Sequence, residues 1–264
     1  MRIPRAQDAR RFPSREVTAM SDARFELYYW PGIPGRGEFV RLVLEEAGAD
    51  WVDVGLQPGG GKAVSDMLGK GPVPAYAPPM LKVGDVVFSQ AANICAYLGE
   101  RFGLVPSDEA SRLHARQFQL TVADVVAEAH DTHHPIAVMK YYDEQKDAAK
   151  QRAEDFRTQR IPKFLGYFER VLKANPQGGG KYLLGSDFSY PELALFQLVD
   201  GLRYAFPNAM RRIASEVPGV MALHQRIRER PRIAAYKQSP RAQPFNEKGI
   251  FRHYPELDDP NVTK

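Results

Sequence analysis

Short β-prone runs alternate with helix-period segments up to about residue 101, and beyond it every long apolar segment has helical period. The run Phe25-Glu26-Leu27-Tyr28-Tyr29-Trp30 predicts a short aromatic strand that ends in the turn residues Pro31-Gly32-Ile33-Pro34-Gly35. Arg36-Gly37-Glu38 then opens an amphipathic helix whose apolar face carries Phe39, Val40, Leu42, Val43 and Leu44. Trp51-Val52-Asp53-Val54 predicts a second strand, and Gln57-Pro58-Gly59-Gly60-Gly61 a loop. Residues 70–79 are too rich in proline for a helix. Residues 80–83 and 86–89 predict the strands of a hairpin across Gly84-Asp85. From Gln90 the pattern is helical, with Ile94, Tyr97 and Leu98 on one face, so the predicted order is βαβ followed by ββα.

After the Gly/Pro connector Phe102-Gly103-Leu104-Val105-Pro106-Ser107, residues 113–129, 147–173, 191–204 and 218–236 predict helices with no comparable strand run between them. Ser189-Tyr190-Pro191-Glu192 is a capping box that starts one of them and has a folding role. Residues 244–257 are unusually aromatic for a solvated end, so this tail is expected to pack back on the body.

Composition narrows the function classes. Of the formal charge of +4, a net +3 falls in the first twenty residues, where Arg2, Arg5, Arg10, Arg11 and Arg15 face only Asp8 and Glu16. A nearly neutral body argues against nucleic acid as the main ligand. No apolar run approaches the ~18 residues of a membrane span. The single cysteine, Cys95, allows no intrachain disulfide and fits a reducing compartment. Residues 1–22 lack the apolar region of a secretory signal and are expected to be disordered, with Met20-Ser21-Asp22 a natural start. Gly60-Gly61-Lys62 imitates a phosphate loop, but Ala63 stands where a magnesium-binding Ser or Thr belongs.

Two stretches carry candidate chemistry. The first strand, its turn and the following helix form an anion-binding corner, because unpaired amides and the helix dipole favour negative charge there. A tyrosine at the strand's end adds a hydroxyl beside it. Strand alternation lets only one of Tyr28 and Tyr29 reach that corner. Farther on, His130, His133 and His134 fall at i, i+3 and i+4, as metal ligands on a helix do. The missing glutamate of HExxH, the helix-ending Pro135 and the lack of a distal ligand argue against a metal, and none is expected.

Tyr29-Trp30-Pro31 with Arg36, Pro79 before the hairpin, and Gln90-Ala91-Ala92-Asn93-Ile94 opening the next helix resemble the cytosolic glutathione S-transferases, most closely the tyrosine-type mu, pi and sigma classes. The resemblance is strong over residues 24–101 and looser beyond. It implies a thioredoxin-like α/β domain over 23–101, a linker over 102–110, an all-helical acceptor-site domain over 111–238 and a packed tail over 239–264. It also implies a cytoplasmic homodimeric detoxification enzyme that uses glutathione as co-substrate on a small electrophile, without metal, membrane or nucleic acid.

The same resemblance distributes the roles. Tyr29 is the catalytic residue, donating its phenolic proton to the glutathione sulfur. Lowering a thiol of pKa ~8.5 by about 1.5 to 2 units needs roughly 2 to 2.7 kcal/mol. One hydrogen bond to a charged acceptor supplies about 1.5 to 3 kcal/mol. Trp30 and Lys70 belong near the glycyl carboxylate, and the backbone of Pro78, before an expected cis Pro79, beside the cysteinyl part. Gln90 and the Ala91 amide belong on the γ-glutamyl carboxylate, with Arg36 near that end. Asp124 is the acid that a partner subunit directs at the γ-glutamyl amine. His130, His134, Met139, Tyr141 and Tyr142 wall the acceptor site.

Three departures from the family pattern predict weaker glutathione binding. Ala91 replaces the usual serine, Pro78 has no N–H to give, and the segment from Tyr29 to Arg36 is one residue long. The rival readings are thiolate-dependent isomerisation, peroxide reduction or ether cleavage, and a non-catalytic ligand-binding module.

Overall fold

The computed structural model of the protein describes residues 24–259, so the reading of residues 1–22 lies outside the described residues. The first half contains β1 (Phe25–Tyr28), α1 (Gly37–Ala47), β2 (Trp51–Asp53), α2 (Gly60–Met67), β3 (Met80–Val83), β4 (Val86–Ser89) and α3 (Ala91–Arg101). The sheet order is β2-β1-β3-β4, with β2 parallel to β1, β3 antiparallel to β1 and β4 antiparallel to β3. Leu27 lies opposite Leu81 and Tyr28 opposite Met80. Because neighbouring side chains leave opposite faces of a strand, Phe25, Leu27, Leu81 and Val83 join the core under α1 and α3, whereas Tyr28 and Met80 pack on Val64 of α2.

Helix α2 corrects the predicted order, which passed from the second strand to the hairpin without a helix. It has only eight residues, opens on two glycines after Gly59 (φ 75°), and buries one large side chain, Val64. Such a segment has too little apolar period to register in sequence, yet it closes the second face of the sheet.

The second half contains α4 (Glu109–Asp131), α5 (Lys146–Asp155), α6 (Ile161–Ala174), α7 (Tyr190–Ala205), α8 (Pro207–Ile213), α9 (Pro218–Arg228) and α10 (Pro231–Lys237). The Asp108 carboxylate caps α4 by accepting the Ser111 amide at 2.8 Å. Helix α7 is buried on nearly every side and forms the axis of this half. Glu192 accepts the amides of Ser189 and Leu183 at 3.0 and 2.8 Å, so the acid of the capping box fastens the preceding loop as well.

Two predicted helices are divided. Over 147–173 the chain stays helical but widens into a π turn at Phe156–Arg160, where Ile161 donates to the Phe156 carbonyl and Pro162 has no amide to give. Over 218–236 it breaks before Pro231 into α9 and α10. Helix α8 was not predicted, being seven residues long.

Ile250, Phe251 and Leu257 of the tail are buried in the same core. The Asp258 carboxylate accepts the Asn208 and Ala209 amides at the start of α8. No helix among the described residues is long and apolar enough to cross a membrane.

Candidate active site

Tyr29 follows the last residue of β1, and its ring is held against α1 by the absence of side chains on two glycines. A Cβ on Gly35 would lie 2.0 Å from Tyr29 Oη, and one on Gly37 would lie 2.5 Å from the ring. Gly35 also takes φ 44°, which favours glycine. The Arg36 amide, at the N-cap of α1, donates to Tyr29 Oη at 2.8 Å. No described residue accepts the Tyr29 proton. Burial raises the phenol's pKa, while the Arg36 amide and the charges of Arg36 and Arg41 oppose the rise, so Tyr29 is a protonated donor at neutral pH. Tyr28 is occupied elsewhere, donating to Glu26 Oε2 at 2.7 Å, and burial pushes its pKa up as well.

A cavity of about 290 Å³ opens between α1, α3 and α4 and is lined by Arg36, Phe39, Gln90, Ala91, Asn93 and Gln119, among others. Gln90 at the N-cap of α3 has φ 74°, a left-handed conformation that costs a non-glycine residue of order 1 to 3 kcal/mol. The amides of Ala91, Ala92 and Asn93 open α3 and have no intrahelical acceptor, and Arg36 adds a guanidinium to the same cavity. The combination favours a carboxylate. Gln119 of α4 is 3% exposed, and its Oε1 has no partner among the described residues, so the wall also presents an unused acceptor.

The structure thus brings Arg36, Gln90 and Ala91 together, with Tyr29 on the Arg36 amide. Pro79 is buried after a cis Pro78-Pro79 peptide. Trp30 is half-buried against the Tyr28–Val64–Met80 cluster, and Lys70 is exposed after α2. Asp124 is exposed on α4. Met139 and Tyr141 are 93% and 80% exposed. Tyr142 is buried, stacked on Tyr254 at 3.9 Å and donating to Glu256.

His130, His133 and His134 lie together, with ring centroids 4.8 to 5.0 Å apart. They do not share one helical face as predicted, because α4 ends at Asp131 and the last two follow in a turn. Burial lowers all three pKa values, that of His130 to about 4 and that of His133 to about 3. The neighbouring Arg252 adds to each effect, and Arg36 to that on His130.

Sequence reasoning missed a buried ionic network beneath the corner. Arg41, fully buried, gives Nε to Asp53 at 2.7 Å and Nη1 to the Pro34 carbonyl at 3.2 Å and to Glu38 at 3.4 Å. Glu38 in turn accepts the Tyr236 hydroxyl at 2.9 Å, so α10 reaches the turn that carries Arg36. Glu38 and Arg41 at i and i+3 on an otherwise apolar helix face were the signal available in sequence.

Residues 130–240 match the family described as Glutathione S-transferase, C-terminal domain. The chain is 24% identical over 215 residues to a Plasmodium falciparum glutathione S-transferase, covering 80% of this chain and 93% of that protein. It is 26% identical over 215 residues to Glutathione S-transferase P 1 of Xenopus laevis, covering 81% and 92%. Among solved structures, the pi-class glutathione S-transferase of Onchocerca volvulus aligns with TM-score 0.62 at 22% identity, covering 80% of this chain and 91% of that one. Prostaglandin synthase D of Nilaparvata lugens aligns with TM-score 0.65 at 18% identity, covering 82% and 98%.

Proposed function

The chain belongs to the glutathione S-transferase family, and from that premise we propose that it binds glutathione at the corner between β1, α1 and α3 and transfers it to a small electrophile, with Tyr29 as the catalytic residue. The observation that carries this reading is the state of Tyr29 Oη, which accepts the Arg36 amide at the head of α1 while its own proton is uncommitted among the described residues. A thiolate at that point accepts the phenolic proton as a hydrogen bond and lies on the positive end of the helix. The thiol's proton passes to solvent. The sulfur lone pair forms the new bond to carbon, and the electrophile's leaving group departs with its electron pair. Tyr29 keeps its proton throughout.

Gln90, the Ala91 amide and Arg36 take the γ-glutamyl carboxylate in the cavity they line. Gln119 Oε1, an unpartnered acceptor on the cavity wall, takes the γ-glutamyl amine together with Asp124, which is exposed on the same helix and directed at that amine from the partner subunit. Trp30, Lys70 and the Pro78 carbonyl serve the rest of the tripeptide, and His130 and His134 stand beside the mouth of the acceptor site with Met139 and Tyr141 at its rim. The enzyme works as a cytoplasmic detoxification homodimer, which would cover the exposed Leu113 and Leu120 of α4.

Conjugation of glutathione to a chloronitrobenzene tests the reading. Tyr29→Phe is expected to lower the rate about 10- to 150-fold, the equivalent of a charged hydrogen bond of about 1.5 to 3 kcal/mol. It should also raise the pKa of the bound thiol, read from thiolate absorbance. Equal rates and equal thiol pKa in the two proteins would exclude Tyr29 as the activating group.

A further inference from the structure

The proposed reaction makes no use of the histidine cluster as a donor set. One nitrogen from each of His130, His133 and His134 lies within 4.8 Å of those of the other two. Backbone carbonyls set the tautomers of two of the rings. His133 Nε2 is 2.7 Å from the Ile250 carbonyl, so this nitrogen carries the proton and Nδ1 keeps its lone pair. That Nδ1 belongs to a side chain 1% exposed and has no partner among the described residues. His134 Nδ1 is 3.1 Å from the Lys140 carbonyl, which leaves the lone pair on Nε2. The Gln145 amide nitrogen, 3.3 Å from the same Nδ1, also donates to the carbonyls of Ala137 and Lys140. A ring that donates one N–H to a carbonyl and keeps the other nitrogen bare is how histidine is prepared to hold a metal.

We propose that His130, His133 and His134 form a binding site for a divalent metal of the zinc class, with His133 Nδ1 and His134 Nε2 as two of its three imidazole ligands. Imidazole nitrogen suits borderline ions such as zinc or cobalt(II), and three such ligands leave a fourth tetrahedral position for water or an anion. Metal–nitrogen bonds of about 2.0 to 2.1 Å set the ligand atoms about 3.4 Å apart, so nitrogens now as much as 4.8 Å apart close by up to about 1.4 Å on binding. His133 is pinned by Ile250, and the movement falls to His130 and His134, which are only partly buried. Arg36 and Arg252 face the cluster with positive charge, whereas the Asp131 carboxylate lies 3.8 Å from His130 Nδ1. That balance favours an anion as fourth ligand and an affinity below that of structural zinc sites.

The full chain, freed of metal with a chelator, is titrated with cobalt(II). One equivalent is expected to bind with the intense visible bands of four-coordinate cobalt, and zinc is expected to bleach them. His130→Ala and His134→Gln should each weaken binding more than tenfold while circular dichroism is unchanged. His114→Ala, on the exposed side of α4, should leave binding intact. Absence of the bands, binding that survives both cluster substitutions, or equal loss in His114→Ala would overturn the proposal. The readout is independent of conjugation, so it stands or falls apart from the role of Tyr29.

Discussion

Tyr28 and Tyr29 have the same side chain and differ in what their hydroxyls meet. Tyr28 spends its proton on Glu26, itself paired with Lys82 at 2.7 Å. Tyr29 receives an amide and keeps its proton. The difference rests on Gly35 and Gly37, where the missing side chains make room for the ring. Gly35→Ala puts a methyl 2.0 Å from Tyr29 Oη and imposes φ 44° on a residue that resists it. The expected outcome is conjugation reduced at least as far as in Tyr29→Phe, with a lower thermal midpoint. Tyr29→Phe, which keeps the ring, should melt close to wild type. Initial rates and melting curves of the two variants measured side by side check this. Strand alternation left one of the two tyrosines for the corner, and the resemblance, with Tyr29 before Trp30-Pro31, chose between them. The amide partner of Tyr29 was not legible, because the path of the turn depends on carbonyls that Arg41 holds from beneath.

Elements with a long apolar period were read correctly in kind, and the failures share a cause. Helix α2 buries one large side chain and α8 has seven residues, so neither offers a full amphipathic repeat. The π turn at Phe156–Arg160 keeps helical spacing on both sides and changes only the hydrogen-bond partner, which composition does not record. The tail shows what its aromatics do. Phe251 lies over Gly201 of α7, where a Cβ would come within 2.3 Å of the ring. Phe251→Ala should lower the unfolding free energy by about 3 to 5 kcal/mol, because a fully buried ring leaves a cavity that the central helix cannot fill. Urea denaturation measures it. A loss below about 1 kcal/mol would mean that the tail contributes little to the core.

For the molecule as a whole, buried charges matter more than the surface ion pairs, each worth about 0 to 1 kcal/mol. Glu192, buried at the head of α7, has its carboxyl pushed up by burial from 4.5 to about 7. A carboxyl raised on folding adds stability below the unfolded value and loses it as pH climbs through the folded one. Stability from this group should therefore fall between about pH 4.5 and pH 7, by roughly 3 kcal/mol. Glu192→Gln removes that component. Unfolding free energies at pH 4, 6 and 8 should show a flatter profile for the variant, and parallel profiles would refute the assignment.

What the sequence determined by itself was local or cumulative: the aromatic strand, the hairpin at Gly84, the capping acid of α7 and the switch to all-helical period, since each depends on neighbours a few positions apart. Only tertiary structure decided the rest. Arg41 meets Asp53 of β2, Tyr236 crosses from α10 to Glu38, and the Ile250 carbonyl fixes the proton of His133. Glu38 and Tyr236 are 198 positions apart, and His133 and Ile250 117. No periodicity encodes such a distance, because it is set by how the packed elements close on one another.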